Sequence, residues 1–128
     1  MHVVLVHWRI KPEAEHIAAF LKDWREVYTI TDRTGLIGEF LSESSPAKIF
    51  PDTTWHLDPE ALGNFKSFVN VALWRDAKDF HEQIAKNYND QNPMRLYEQY
   101  RRRRVVAECS AWRIGDFKLP LTDSAEVR

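Results

Sequence analysis

The stretch from Phe68 to Ile84, FVNVALWRDAKDFHEQI, changes its hydrophobic period halfway along. Its first seven residues alternate as in a strand, and from Asp76 onward the apolar residues recur at helical spacing. Asp76 lies at the boundary, where an aspartate side chain caps a helix N-terminus. The sequence therefore predicts a strand that leads directly into an amphipathic helix.

The remaining segments complete an alternation of strands and helices. We predict strands at Phe65–Trp74, His2–Ile10, Thr34–Glu43 and Arg104–Ile114, helices beginning at Pro12 and Asp76, and a short helix capped by Asn92. The apolar stripes of the two main helices are Ile17, Leu21, Trp24 and Tyr28, and Phe80, Ile84 and Tyr88. The order βαββαβ predicts an α+β, ferredoxin-like fold with a four-stranded antiparallel sheet and helices on one face.

The length of 128 residues suits one domain, and we predict a single domain over 1–128. Within it, 44–64 is punctuated by three prolines and a glycine, which indicates a long loop with one helical turn. We predict a C-terminal arm over 115–128.

Both faces of the third strand are apolar. Val69, Val71 and Leu73 form an aliphatic face, which we expect beneath the helices. The opposite face then carries Phe68, Asn70, Ala72 and Trp74, with Trp112 and some of Leu5, Leu36 and Phe40 beside it. Because two helices cover only one face of such a sheet, the other face must meet a ligand, a nucleic acid or a second copy of the chain.

Composition narrows these choices. Apolar residues make up 44% of the chain and its net charge is -1, so nothing in the charge favours nucleic acid or anionic lipid as a partner. No segment approaches the roughly 20 apolar residues that span a bilayer. With one cysteine, Cys109, an intrachain disulfide is excluded, and we expect a cytoplasmic location. An RNA-recognition module shares βαββαβ, but KSFVNV lacks the glycine and further rings of that signature.

The segment FVNVALWRDAKDF resembles the antibiotic-biosynthesis-monooxygenase-type family of the dimeric α/β-barrel superfamily. The matching features are Asn70, a tryptophan four positions later at the strand end (Trp74) and a phenylalanine six positions after that (Phe80). WRIKP before the first helix is also similar. The resemblance implies a homodimer whose sheets pack face to face, with a small pocket between sheet and helices in each protomer.

The resemblance also implies an activity. Some members oxygenate polycyclic phenols without metal or flavin, which implies an oxidoreductase that needs no cofactor, a small aromatic or quinone-type substrate, and Asn70 and Trp74 as catalytic residues. Amide and indole N–H groups suit this role because they stabilise developing oxyanion charge in a dry pocket. The tyrosine of some members is Phe80 here. Haem binding is not expected, because the haem-degrading members place a histidine nine positions after the tryptophan, where this chain has Gln83.

Further residues are candidates for substrate binding, each with a structural alternative. His7 and Arg9 share one strand face, with Glu108 and Ser110 as possible neighbours, and there an Arg9–Glu108 salt bridge is the alternative to binding an anionic or phenolic group. His81 is either a ligand contact or a half-buried histidine bonded to a backbone carbonyl. The full set of predicted substrate-binding residues is His7, Arg9, Phe68, His81, Glu108 and Trp112.

Other motifs favour ordinary structural roles. The five histidines lack metal-ligand spacing, so we predict no metal site. Cys109 fits a packed thiol, and Arg101–Arg104 fits cations that follow a helix C-terminus. Two functions stay open from the sequence: a monooxygenase of the kind described, and a noncatalytic ligand-binding or structural dimer on the same scaffold.

Overall fold

The computed structural model describes residues 1–44 and 65–116. In order, its elements are β1 (His2–Ile10), α1 (Ala14–Glu26), β2 (Leu36–Glu43), β3 (Lys66–Trp74), α2 (Ala77–Phe80), which continues into a π-helical turn (His81–Ala85), and β4 (Glu98–Glu108). The predicted loop over 44–64, after Ser44, and the predicted arm over 115–128, after Asp116, lie outside the described residues.

The strands form one antiparallel sheet in the order β2-β3-β1-β4. β1 lies inside the sheet, where Val6 is opposite Asn70 of β3 and Arg104 of β4. The predicted α+β architecture, with a four-stranded antiparallel sheet and two helices, is confirmed, and it is compatible with a ferredoxin-like fold.

The helices pack on the face of the sheet opposite to the predicted one. Phe68, Ala72 and Trp74 are at most 3% exposed, whereas Val69, Val71 and Leu73 are only half-buried on the other face. We expected Val69, Val71 and Leu73 beneath the helices because they are aliphatic, and that prediction is wrong. The large rings decide the orientation, because they bury more apolar surface when they lie beneath the helices.

Aromatic packing holds α1 on this face. The Phe20 ring is fully buried and lies 5.0 Å from the rings of both Trp8 and Phe68, centroid to centroid. The predicted stripe of α1 packs against the same core, as predicted, with Ile17, Leu21 and Trp24 in the helix and Tyr28 just beyond its end. Pairs of rings at such distances stabilise a core beyond the area that they bury.

The junction between β3 and α2 is as the sequence predicts. The Asp76 carboxylate accepts a hydrogen bond from the backbone N–H of Asp79 at 3.0 Å and so caps the helix. The chain reverses close to Gly35, whose φ of +81° is positive and whose carbonyl accepts from the N–H of Arg75. Phe80 and Ile84 then reach the core from the α-helical and π-helical turns.

The C-terminal predictions need two corrections. No helix forms at Asn92, since 92–97 is irregular, and β4 begins at Glu98, earlier than predicted, and ends at Glu108. Arg101–Arg104 therefore belongs to a strand. Arginine is accepted there because Arg102 pairs with Glu98 in the protein interior and its guanidinium stacks 5.1 Å from the Trp8 ring centre.

The other face of the sheet, which we call the open face, has no helix of the described residues on it. Its apolar side chains at the centre are Val3, Leu5, Val71, Leu73, Phe40, Val105 and Ala107, as the strand register places them. Leu5, Phe40 and Val105 are 40%, 39% and 55% exposed. The expectation that one face would be both apolar and uncovered by helices thus agrees with the structure, although the face is the opposite one.

Among the described residues, none of the helices has the length and apolar character needed to cross a membrane.

Candidate functional site

A cavity of about 40 Å³ lies between the helix-covered face of the sheet and the helices. The residues that line it come from all four strands, both helical segments and the turns that follow them. They are Val4, Val6, Trp8, Trp24, Tyr28, Glu39, Asn70, Ala72, Trp74, Phe80, Ile84, Tyr88 and Arg104. The cavity therefore brings together Asn70, Trp74 and Phe80, the three residues that carry the family resemblance.

A chain of hydrogen bonds crosses the wall of this cavity. The indole N–H of Trp24 donates to Asn70 Oδ1 at 3.0 Å, and Asn70 Nδ2 donates to Glu39 Oε1 at 2.9 Å. Asn70 is 5% exposed, so its buried amide meets the requirement that buried polar groups be paired. Asn70 thus makes a cross-strand hydrogen bond to Glu39 and also lines the cavity.

Charged groups of both signs line the cavity. Burial raises the pKa of the Glu39 carboxyl, while the hydrogen bond from Asn70 and the charge of Arg33 oppose that rise. Burial, together with the neighbouring Arg102, lowers the pKa of Arg104 to about 10. At neutral pH Arg104 is still a cation, so a polar or anionic group of a bound molecule would meet a positive charge here.

Two indole N–H groups at the cavity are buried and have no hydrogen-bond partner among the described residues. They belong to Trp74, which is 1% exposed, and to Trp8, which is 5% exposed. Buried donors without a partner are rare in folded proteins, since an unpaired N–H costs free energy. A ligand oxygen or an ordered water within reach of these N–H groups would satisfy them.

A wider groove of about 460 Å³ adjoins the cavity and shares Tyr28 and Tyr88 with it. The rest of the groove is lined by Asn92, Pro93, Met94, Arg95, Leu96 and Arg102. The Tyr88 hydroxyl donates to the carbonyl of Val27 at 2.9 Å, and the Tyr88 carbonyl accepts from Arg102 and Arg104. These two tyrosines therefore separate the small cavity from a groove of the volume usual for ligand sites.

His7 and Arg9 lie on the open face, away from the cavity. Nε2 of His7 is 2.8 Å from Ser67 Oγ, and the Arg9 guanidinium lies 5.0 Å from the centre of the Tyr100 ring. Both side chains are 9% exposed. The structure does not bring them to Asn70 and Trp74, because odd and even residues of a strand point to opposite faces.

The other predicted binding residues also lie outside the cavity lining. Phe68 is a core ring against Phe20, and His81 is exposed on the π-helical turn. Glu108 is exposed at the end of β4, and Trp112, at 73% exposure, follows that strand. The sequence predicted a strand that extends to Ile114 and includes Trp112. Because β4 ends at Glu108, Trp112 lies outside the sheet.

Several polar or charged residues of the cavity wall, among them Trp24, Arg104 and Glu39, were not among the predicted site residues. Trp24 was identified only as part of a helical stripe, and Arg104 only as part of a basic run. Glu39 had a detectable signal: it is a carboxylate inside a predicted strand, two positions before an apolar Leu41 with which it shares a face. A charged side chain on the covered face of a strand needs a partner, because burial of an unpaired charge costs free energy.

Within residues 1–44 and 65–116, no group of three or more histidine, cysteine, aspartate or glutamate side chains is arranged to hold a metal ion. The chain matches no protein-family model and no curated protein sequence.

Proposed function

We propose that this chain belongs to the antibiotic-biosynthesis-monooxygenase-type family and that its cavity oxygenates a small aromatic or quinone-type compound without metal or flavin. The observation that carries the proposal is that Asn70 and Trp74 line one cavity and that the indole N–H of Trp74 is buried with no partner among the described residues. Neutral donors in a buried site stabilise oxyanion charge as it develops.

The reaction needs a substrate with an acidic C–H or O–H bond, such as an anthrone or a quinol. Loss of the proton gives a delocalised carbanion, which passes one electron to O₂ and then combines with the superoxide formed. For an anthrone, one oxygen atom becomes the new carbonyl and the other leaves as water with the two hydrogens of the CH₂ group. The Trp74 N–H and the Asn70 amide would stabilise the negative charge on oxygen before and after transfer.

Access to the cavity is part of the proposal. A volume of about 40 Å³ holds a few water molecules, whereas a benzene-sized ligand occupies a cavity of about 150 Å³. We propose that the aromatic body of the ligand lies in the adjoining groove and that Tyr28 and Tyr88 move apart to admit its reactive edge. Arg104, which also lines the cavity, would attract the phenolate form.

We also propose that the protein is a homodimer whose open faces pack against each other. The support is an uncovered apolar patch at the centre of the sheet, which includes Leu5, Phe40 and Val105. Such a patch is stabilised when a second sheet lies about 10 Å away, face to face. A second copy is the partner that presents the same shape and the same apolar character. In this dimer His7 and Arg9 would lie at the interface and not in the cavity.

The test is oxygen consumption with a panel of anthrones and quinols. We expect wild-type protein to consume O₂ and to yield the quinone, and Trp74→Phe, which removes the indole N–H together with part of the ring, to lower kcat by about a hundredfold. Trp112→Phe is the matched control, because Trp112 is exposed and outside the cavity. Failure of wild-type protein to consume any substrate of the panel would contradict the proposal.

A noncatalytic ligand-binding or structural dimeric protein on the same scaffold is the second candidate. The small volume of the cavity and the complete pairing of the Asn70 oxygen and the Glu39 Oε1 atom favour it, since both are features of a packed polar core. It is preferred if panel compounds bind to wild-type protein and are released unchanged in the presence of O₂.

A further inference from the structure

We propose that Glu39 is the general base that takes the proton from the substrate in the cavity. This inference rests on the proposed function and names a residue that the family resemblance does not supply. Glu39 lies on β2 opposite Ala72, on the helix-covered face, and lines the same cavity as Asn70 and Trp74. A base must be within hydrogen-bond reach of the proton that it removes, and position in the cavity wall is the first requirement for that.

The other titratable groups of the described cavity wall do not fit the role. Arg104 is protonated at neutral pH and has no lone pair to offer. The Tyr88 hydroxyl donates its hydrogen to the Val27 carbonyl, and the Tyr28 hydroxyl lies 3.4 Å from that of Tyr97. Glu39 is the one carboxylate among the described residues that line the cavity.

The Trp24–Asn70–Glu39 chain fixes the carboxylate in place. Since Asn70 Oδ1 accepts from the Trp24 N–H, the amide nitrogen of Asn70 points to Glu39 Oε1, and the carboxylate is held at one oxygen. The second oxygen of a carboxylate is then the natural proton acceptor. Asn70 thus positions the base, in addition to the charge-stabilising role proposed above.

The electrostatic surroundings make Glu39 a stronger base than an exposed carboxylate. Burial raises the pKa of Glu39, the charge of Arg33, from the turn before β2, opposes that rise, and Arg104 is the other charged group that lines the cavity. A carboxylate with a raised pKa accepts a proton more readily than an exposed one, and a general base is most effective when its pKa approaches the working pH.

The step balances. The substrate CH₂ group gives one proton to the Glu39 carboxylate and becomes a carbanion, which adds O₂ by electron transfer and recombination to form a peroxide. The proton of the remaining C–H bond then moves to the terminal peroxide oxygen as the O–O bond breaks and the carbonyl forms, and the departing hydroxide takes the first proton back from Glu39 to leave as water. The substrate carbon loses four electrons and O₂ gains four.

The proton transfer is tested separately from oxygenation, with 1,8-dihydroxyanthrone as the probe under anaerobic conditions. Its anion differs in absorbance from the neutral form. We expect wild-type protein to ionise the bound probe at pH 7, and Glu39→Gln to bind it but to form the anion about 10² to 10⁴ times more slowly. Glutamine keeps the oxygen that accepts from Asn70, so this variant retains the hydrogen-bond chain. Glu39→Asp should restore part of the rate, with an altered pH profile.

Glu43→Gln is the matched control, because Glu43 lies on the same strand but is exposed and pairs with Lys66. It should ionise the probe as wild-type protein does. Equal anion formation by Glu39→Gln and wild-type protein overturns the inference, as does a wild-type protein that leaves the bound probe neutral. If the anion forms through Glu39 but admission of O₂ yields no quinone, the base is supported and the proposed oxygenation fails.

Discussion

The indole of Trp24 donates to the side-chain oxygen of Asn70 at 3.0 Å and so joins α1 to the centre of the sheet. This bond determines which way the Asn70 amide faces, since the oxygen is used by Trp24 and the nitrogen is left for Glu39. An asparagine in a strand thereby links a helix to the edge strand β2. The same bond that stabilises the fold arranges the polar side of the cavity.

Replacement of Asn70 tests this link. Asn70→Leu leaves the Trp24 N–H and the Glu39 carboxylate without their partner, and we expect the free energy of unfolding to fall by about 1–3 kcal/mol. Trp24→Tyr serves as a control that removes the indole donor but leaves the Asn70–Glu39 hydrogen bond intact, so its free energy of unfolding should fall by less. Urea unfolding measures both. An Asn70→Leu protein as stable as wild type would show that the two hydrogen bonds of Asn70 contribute nothing to stability.

The alternation of strands and helices was predictable because period-2 and helical patterns follow directly from backbone geometry. Which face of the sheet the helices cover was not predictable from the sequence. Val69, Val71 and Leu73 are apolar, and so are Phe68, Ala72 and Trp74, so alternation in β3 gives two acceptable faces. Only the pairing of β3 with β1, where Trp8 and Phe68 are opposite each other, shows which rings meet Phe20 of α1.

The candidate site was predictable only for residues that lie close together in one segment of the sequence. Asn70 and Trp74 are near in sequence, and both line the cavity. His7 and Arg9 were predicted to belong to the same site. The alternation within each strand does not show which residues of two different strands lie on the same face of the sheet. Glu39 and Arg104 reach the cavity through the strand register, in which Ala72 is opposite Glu39 and Val6 is opposite Arg104.

Glu39 should make stability depend on pH. Its pKa is raised in the folded protein above the usual 4.5, so the folded state binds the proton more tightly and ionisation costs stability as the pH rises through the folded-state pKa. Glu39→Gln removes that cost. We expect the variant to gain stability over wild type as the pH increases from 4.5 to 7, and the difference to vanish below 4.5. Urea unfolding at pH 4, 5.5 and 7 measures it, and a constant difference would contradict the prediction.

Gly35 should not accept a side chain. Its φ is +81°, and a Cβ atom there would lie 2.2 Å from Asp79 Oδ2. Asp79 is paired with Arg75 and is only partly exposed, so it does not move freely. We expect Gly35→Ala to lower the free energy of unfolding by at least about 1–2 kcal/mol. Gly115→Ala is the control, since a Cβ there meets nothing within 4 Å, and thermal unfolding distinguishes the two.

The proposed homodimer predicts the effect of a charge on the open face. Leu5 lies on the central strand opposite Val71 and Val105, so Leu5→Lys would place an ammonium group in the middle of the interface. We expect the dimer dissociation constant to rise by about thirtyfold or more. Leu96→Lys is the control, because Leu96 is 86% exposed and does not belong to the open face. Sedimentation that shows a wild-type monomer at micromolar concentration would reject the dimer.

The binding of a small aromatic compound beneath the helices is tested most directly by NMR of the tryptophan indole N–H groups in a titration with 1,8-dihydroxyanthrone. Trp8, Trp24 and Trp74 line the cavity, whereas Trp112 is exposed beyond β4. We predict that the indole resonances of the three cavity tryptophans shift and saturate together while that of Trp112 stays in place. Saturation with no change at Trp74 and Trp24 would contradict the account.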